Sequence, residues 1–214
     1  MIIINLKFGI VILFLTILLG GCQTRPQSLG STDIDSYEGQ KLTSAYSLPE
    51  NSIKGPSSVN LAAYHLQITG LVNSPLSYSY DEVLQKTPYT KLVILHCIEG
   101  WDATILWQGT KISDLIDAAQ VKANSNTVIF HCQDGYTTSL PLDYIREKNI
   151  LLAYKENGQV LPKKLGYPFI VIAEDKYGYK WARWVTEIEL SDNAQYKGYW
   201  EQRGYSNNAD VPVK

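Results

Sequence analysis

The sequence predicts a mixed α+β domain, and three observations predict it. Short runs rich in β-branched and aromatic residues recur between turn signals, as strands do. Helix signals fall between these runs at irregular spacing, so no βαβ unit repeats. No Gly-x-Gly-x-x-Gly is present, which argues against a dinucleotide-binding α/β sheet.

Residues 1–22 read as an address rather than a fold. Lys7 supplies a positive start, Phe8 to Leu19 form a short apolar stretch, and Leu19-Gly20-Gly21-Cys22 reads as a lipobox. Cys22 is therefore the expected lipidation site. The mature protein is expected to be exported and lipid-anchored to the cell membrane, on its periplasmic or extracellular side. Residues 23–50 are rich in Gln, Ser, Thr, Gly and Asp, and predict a flexible tether. From Asn51 the composition becomes globular, and 51–214 fits one domain.

Within that domain each element has its own signal. Tyr64 to Thr69 alternates as a strand does before Gly70. Ser79-Tyr80-Asp81-Glu82 is a capping box opening a helix to about Lys86. Leu92-Val93-Ile94-Leu95-His96-Cys97-Ile98-Glu99-Gly100-Trp101 starts as a buried strand that Gly100 ends or bends, leaving Cys97 at its mouth. Ala103 to Trp107 reads as a strand, Gln108-Gly109 as a turn, and Ser113 to Ala119 as a helix. Thr127 to His131 is strand-like, and Pro141 suits the first turn of a helix towards Lys148. Ile150 to Tyr154, Pro168 to Ala173 and Trp184 to Leu190 complete the strands.

Composition narrows the function. With 19 basic and 21 acidic residues the net charge is -2, so nothing points to nucleic acid. Tyr 15 and Trp 5 make a heavy aromatic load, common where planar surfaces are packed or bound. Two His-Cys dipeptides, His96-Cys97 and His131-Cys132, raise the question of zinc. Strand geometry opposes it, because adjacent residues point to opposite faces and no Cys-x-x-Cys occurs. A Cys97–Cys132 disulfide suits an exported chain. Cys97 as a lone thiolate ligand to a soft metal, with Cys132 a buried bystander, suits the residues equally.

Several blocks then combine. His96 to Trp101, Asp134-Gly135-Tyr136-Thr137-Thr138-Ser139-Leu140-Pro141-Leu142, Leu151 to Tyr154 and Asn157-Gly158 resemble the molybdopterin-binding domain of the sulfite oxidase superfamily. So do Gly166-Tyr167-Pro168, Lys176 to Val185 and Gly198-Tyr199-Trp200-Glu201. That superfamily includes the catalytic subunit of periplasmic methionine sulfoxide reductase. The resemblance runs in order from about Asn51 to Tyr205 and is greatest to small, haem-free exported members.

The resemblance implies a sulfite-oxidase-type molybdopterin-binding fold of mixed β-sheets with peripheral short helices, with a molybdenum-molybdopterin cofactor in a central cleft. It makes Cys97 the protein ligand of molybdenum, a soft thiolate beside the pterin sulfurs. Tyr136 then points at the exchangeable oxygen position, and Asp134 lies where relatives contact the pterin. Tyr179, Lys180, Trp181 and Arg183 match the segment around the cofactor phosphate, and Asn51 and Ser52 fall near an N-terminal cofactor loop. Ile170 and Leu165 depart from this pattern, since relatives carry an Arg, and a His or Asn, at those places. The phosphate contact is then expected at Lys163, Lys164 or Arg183. Asp102 stands where sulfite oxidases keep an Arg, and a carboxylate in the cleft repels sulfite by about 1 kcal/mol or more.

The expectation is a molybdopterin-dependent oxidoreductase transferring an oxygen atom on a small neutral oxide, a sulfoxide or N-oxide. Electrons pass to or from a separate electron-transfer partner, since no Cys-x-x-Cys-His haem site and no flavin fingerprint occur. Two rivals stand beside it: an exported binding lipoprotein that keeps the fold without catalysis, and a structural lipoprotein with the Cys97–Cys132 disulfide.

Overall fold

The computed structural model describes residues 29, 32 and 34–212. The signal segment with its lipobox Cys22 lies outside the described residues, as do residues 23–28.

A small hairpin of β1 (Ser36–Tyr37) and β2 (Gln40–Lys41) comes first. Then β3 (His65–Gly70) and β4 (Leu76–Ser79) lead into α1 (Tyr80–Leu84), whose capping box forms as predicted. The long hairpin of β5 (Tyr89–His96) and β6 (Asp102–Lys111) runs into α2 (Ile112–Ile116). A second hairpin, β7 (Thr127–Cys132) and β8 (Thr137–Pro141), runs into α3 (Leu142–Glu147). The chain ends through β9 (Leu151–Glu156), β10 (Gln159–Val160), β11 (Ile170–Ile172) and β12 (Val185–Ser191).

These strands make two five-stranded sheets. One has the order β10-β9-β6-β5 with β11 also on β9; the other runs β4-β3-β12-β7-β8. Only the β3–β12 pairing of these sheets is parallel. Both sheets feed one hydrophobic core, with Ile105 and Trp107 from β6, Leu66 from β3 and Phe130 from β7 all fully buried. The predicted class of mixed sheets with short helices on the periphery is the observed one.

Two local expectations need correction, and one strand was not among those expected. Gln108-Gly109 is not a turn but a bulge inside β6. A Cβ at Gly109 would lie 2.2 Å from the Leu152 carbonyl, so the glycine permits close approach of β9. The polar run Thr137–Pro141 is a strand, because β7 supplies its partners. Residues 34–50, expected within a flexible tether, are docked. Ile34 N–H donates to Asn157 O (3.0 Å), Thr43 N–H to Thr104 O (2.7 Å), and Leu42 and Leu48 are buried. Their dock is the Asn157-Gly158 turn between β9 and β10, where both residues take positive φ as a tight hairpin requires.

Candidate functional site

Two loops of the same design meet at one cleft. His96-Cys97-Ile98-Glu99-Gly100-Trp101 closes β5–β6, and His131-Cys132-Gln133-Asp134-Gly135-Tyr136 closes β7–β8. In each, the Cys N–H donates to the carbonyl of the closing aromatic residue, Trp101 (2.9 Å) or Tyr136 (3.0 Å). In each, the Gly N–H returns to the Cys carbonyl, at 3.0 Å from Gly100 and 2.9 Å from Gly135. Both glycines have positive φ, 90° and 85°, which explains the Gly at that position.

The two sulfurs end up differently. Cys97 lines an open cleft, whereas Cys132 is absent from its lining. Burial pushes the Cys132 thiol well above its ordinary range, with the Asp134 charge adding to the effect. Burial also raises the Cys97 thiol; the Glu99 N–H opposes that rise, and the Glu99 carboxylate adds to it. Both thiols are free, so the structural reading with a Cys97–Cys132 disulfide is corrected.

Most of the predicted residues share this cleft. Asn51 and Ser52 line it from the N-terminal side, and Asp134 and Tyr136 from the second loop. Asp134 Oδ1 accepts from Tyr136 N–H at 2.9 Å, which caps that loop. The Tyr136 hydroxyl donates to the Tyr179 carbonyl, and burial, with the Glu201 charge, holds the phenol protonated. Tyr179, Trp181 and Arg183 form a third wall. Tyr179 donates to Ser206 O at 2.8 Å, and its phenol is pushed up to about 12, chiefly by burial. Trp181 is fixed edge-on against Trp107, ring centroids 5.8 Å apart.

Lys180 departs from the expectation. It lies between two cleft residues but is not part of the lining. Its side chain is 0% exposed and its ammonium is 2.5 Å from Glu201 Oε1. Asp102 departs too: its carboxylate is 51% exposed, pairs with His96 Nδ1 at 2.6 Å, and does not line the cleft. Strand pairing explains this, because His96 and Asp102 are direct partners at the end of β5–β6. The carboxylate the first loop does present to the cleft is Glu99.

The sequence reading gave no site role to Trp200 and Tyr205, which line the cleft from the C-terminal segment. Their signal was the aromatic density of 196–205, whose placement depends on contacts distant in sequence. Ile170 and Leu165 are 2% and 1% exposed core residues, so those departures are filled with packing. Of the three cations considered in their place, Lys164 donates to Tyr46 O (2.7 Å) and Leu48 O (3.0 Å), and Lys163 is exposed outside the lining. Arg183 alone of the three lines the cleft.

The donor set fits a molybdenum-pterin cofactor. The cleft offers a soft sulfur donor in Cys97 and a guanidinium in Arg183. It also offers Ser52 Oγ, a buried hydroxyl without a hydrogen-bond partner of its own. An unpaired buried hydroxyl costs about 1–3 kcal/mol unless something meets it. Among the described residues no three His, Cys, Asp or Glu side chains gather as a metal-holding group, so an ion here would depend on ligands the cofactor brings.

Comparison with known proteins agrees. Residues 53–200 match the family model described as the oxidoreductase molybdopterin binding domain. The oxidoreductase YuiH of Bacillus subtilis is 33% identical over 156 residues, covering 72% of this chain and 78% of that protein. The protein-methionine-sulfoxide reductase catalytic subunit MsrP of Ralstonia nicotianae is 28% identical over 145 residues, 60% of this chain and 44% of that protein. The chain thus spans under half the length of that reductase subunit. In fold, the chain is similar to the sulfane dehydrogenase SoxCD from Paracoccus pantotrophus. The TM-score is 0.64 at 18% identity, over 90% of this chain and 57% of that one.

Proposed function

The chain belongs to the oxidoreductase molybdopterin-binding domain family and is a molybdenum-dependent oxidoreductase; on that footing we propose that it reduces a small neutral sulfoxide or N-oxide. Bound in the cleft, the cofactor supplies the two-electron chemistry at molybdenum. For a sulfoxide the balance is one oxygen lost as water, with two electrons and two protons taken up and a sulfide released. The electrons come from a separate electron-transfer partner, a reading supported by the relative's name as a catalytic subunit.

The observation that carries this reading is the meeting of Cys97, Arg183 and the unpartnered Ser52 hydroxyl in one cleft. Cys97 serves as the metal's protein ligand; burial raises its thiol in the empty cleft, and loss of the proton accompanies metal binding. Arg183 and Ser52 hold the cofactor's anionic and polar groups, with Asn51, Asp134, Tyr179 and Trp181 completing the contact surface. Tyr136 stays protonated, and its single O–H, donated in this structure to the Tyr179 carbonyl, turns from that carbonyl to meet the oxygen of the incoming oxide. The aromatic walls at Trp101, Trp200 and Tyr205 exclude water and accept the apolar part of the substrate.

The test is elemental and kinetic. Protein produced with its export signal is expected to carry close to one molybdenum and one pterin per chain. Reduced with a viologen dye, it is expected to turn over dialkyl sulfoxides. Protein free of both molybdenum and pterin would instead leave the non-catalytic binding alternative standing.

The same reading places the protein outside the cytoplasm, tethered through lipid on Cys22. Among the described residues no helix is long and apolar enough to cross a membrane. Cys22→Ala is expected to abolish incorporation of labelled fatty acid and to release the protein from membrane pellets. Equal labelling of the variant would remove the lipid anchor from this account.

A further inference from the structure

The two loops differ in what their acidic residue does. In the second loop Asp134 turns back and caps its own chain at Tyr136 N–H. In the first, the equivalent residue is Glu99, one methylene longer, and it caps nothing. Its Oε2 lies 3.7 Å from Cys97 Sγ and accepts from Trp101 Nε1 at 3.1 Å. Trp101 holds the carboxylate on the cleft side, next to the sulfur that defines the reacting position. The loop closes through backbone bonds alone, so the carboxylate is not needed for the turn.

The charges around it reinforce the point. Among the lining residues the carboxylates are Glu99 and Asp134, and the only cation is Arg183. Burial depresses the proton affinity of that guanidinium, and Glu50, Tyr136, Cys97 and Asp134 oppose the effect in part. Arg183 is also the group assigned to the cofactor. Lys54 stands over Gly135 in the other loop, outside the lining. The negative charge next to Cys97 therefore has no cation dedicated to it in the cleft.

We propose that Glu99 is the residue that selects substrates by charge, admitting neutral and cationic oxides and turning away oxyanions such as sulfite. The proposal rests on the oxygen-transfer reading of the same cleft, and its test separates the two. Across about 6–8 Å at an effective dielectric of about 20–40, one unit charge changes relative specificity roughly 6- to 100-fold.

The first arm needs no metal. In cofactor-free full-length protein Cys97 is alkylated with neutral iodoacetamide and with anionic iodoacetate, and the adduct is read on the Cys97 peptide, apart from Cys22 and from Cys132, which lies outside the cleft lining. The ratio of the two rates reports the charge beside the sulfur, because the thiolate fraction divides out. Glu99→Gln is expected to raise the iodoacetate-to-iodoacetamide ratio about 10-fold, while Glu99→Asp and Asp102→Asn stay near wild type. In the second arm the loaded enzyme is given methyl sulfoxides of matched size ending in an ammonium, an amide or a carboxylate. Wild type is expected to prefer them in that order by kcat/KM, and Glu99→Gln to level the order. An unmoved alkylation ratio in Glu99→Gln overturns the proposal, even if the enzyme reduces sulfoxides well. An equal shift in Asp102→Asn overturns it too, by showing a diffuse charge effect. A shifted alkylation ratio in protein that never takes up molybdenum upholds charge selection and defeats the oxygen-transfer reading.

Discussion

Cys97→Ser is expected to fold and to lose both molybdenum and turnover, whereas Cys132→Ser is expected to keep both and lose stability. The two thiols sit at equivalent places in loops of one design, so each controls for the other. At Cys97 the sulfur faces the cleft and Glu99 can accept from a replacing hydroxyl, so the folding cost should be within about 1 kcal/mol. Turnover should fall by more than about 100-fold, since even changes to residues behind a metal ligand cost 10–100-fold. Burial holds the Cys132 thiol well above its ordinary range, and a hydroxyl there loses water and meets the Arg183 N–H alone. That costs about 1–3 kcal/mol, or a fall in Tm of roughly 3–10 °C for a domain of this size. Melts are compared on molybdenum-free protein, because a bound cofactor stabilises whatever binds it. Full loading and activity in Cys97→Ser would remove the ligand assignment.

Much of this site was legible in the sequence because its parts are local. A β-branched run ending in Cys97 and a Gly gives a strand with a thiol at its mouth, and the hairpin that follows is the next run in the chain. The twin His-Cys-x-acid-Gly-aromatic pattern was also readable, but only the two hairpins show that it is one loop used twice. What escaped the sequence depended on partners. Gly109 reads as a turn until β9 is laid across it. Asp102 and Glu99 are three residues apart, and which one enters the cleft follows from the register that seats Asp102 opposite His96. The docking of residues 34–50 escaped for the same reason, since their composition is polar and their partners lie beyond residue 100.

Lys180 escaped most completely, and it carries the largest expected stability effect. Its ammonium meets Glu201 Oε1 at 2.5 Å, Asn207 Oδ1 at 3.0 Å and Ser139 O at 3.1 Å, so all three protons have acceptors. Glu201 Oε1 also accepts from Thr138 Oγ1 at 2.7 Å, and both charged side chains are 0% exposed. Burial lowers the lysine's proton affinity and the glutamate raises it again, as a matched pair requires. Tyr179 and Trp181 flank the lysine and Trp200 precedes the glutamate; all three line the cleft, so the pair pins one wall to another. Lys180→Met leaves a buried carboxylate without its counter-charge, and is expected to cost about 3–5 kcal/mol. The double variant Lys180→Met with Glu201→Leu removes both charges, and a double-mutant cycle should show recovery of most of that loss. Molybdenum and pterin content of the double variant then decides what Lys180 does. Loading near wild type fits a residue that positions the walls, whereas a stable double variant that takes up no pterin would return Lys180 to the cofactor's direct contacts.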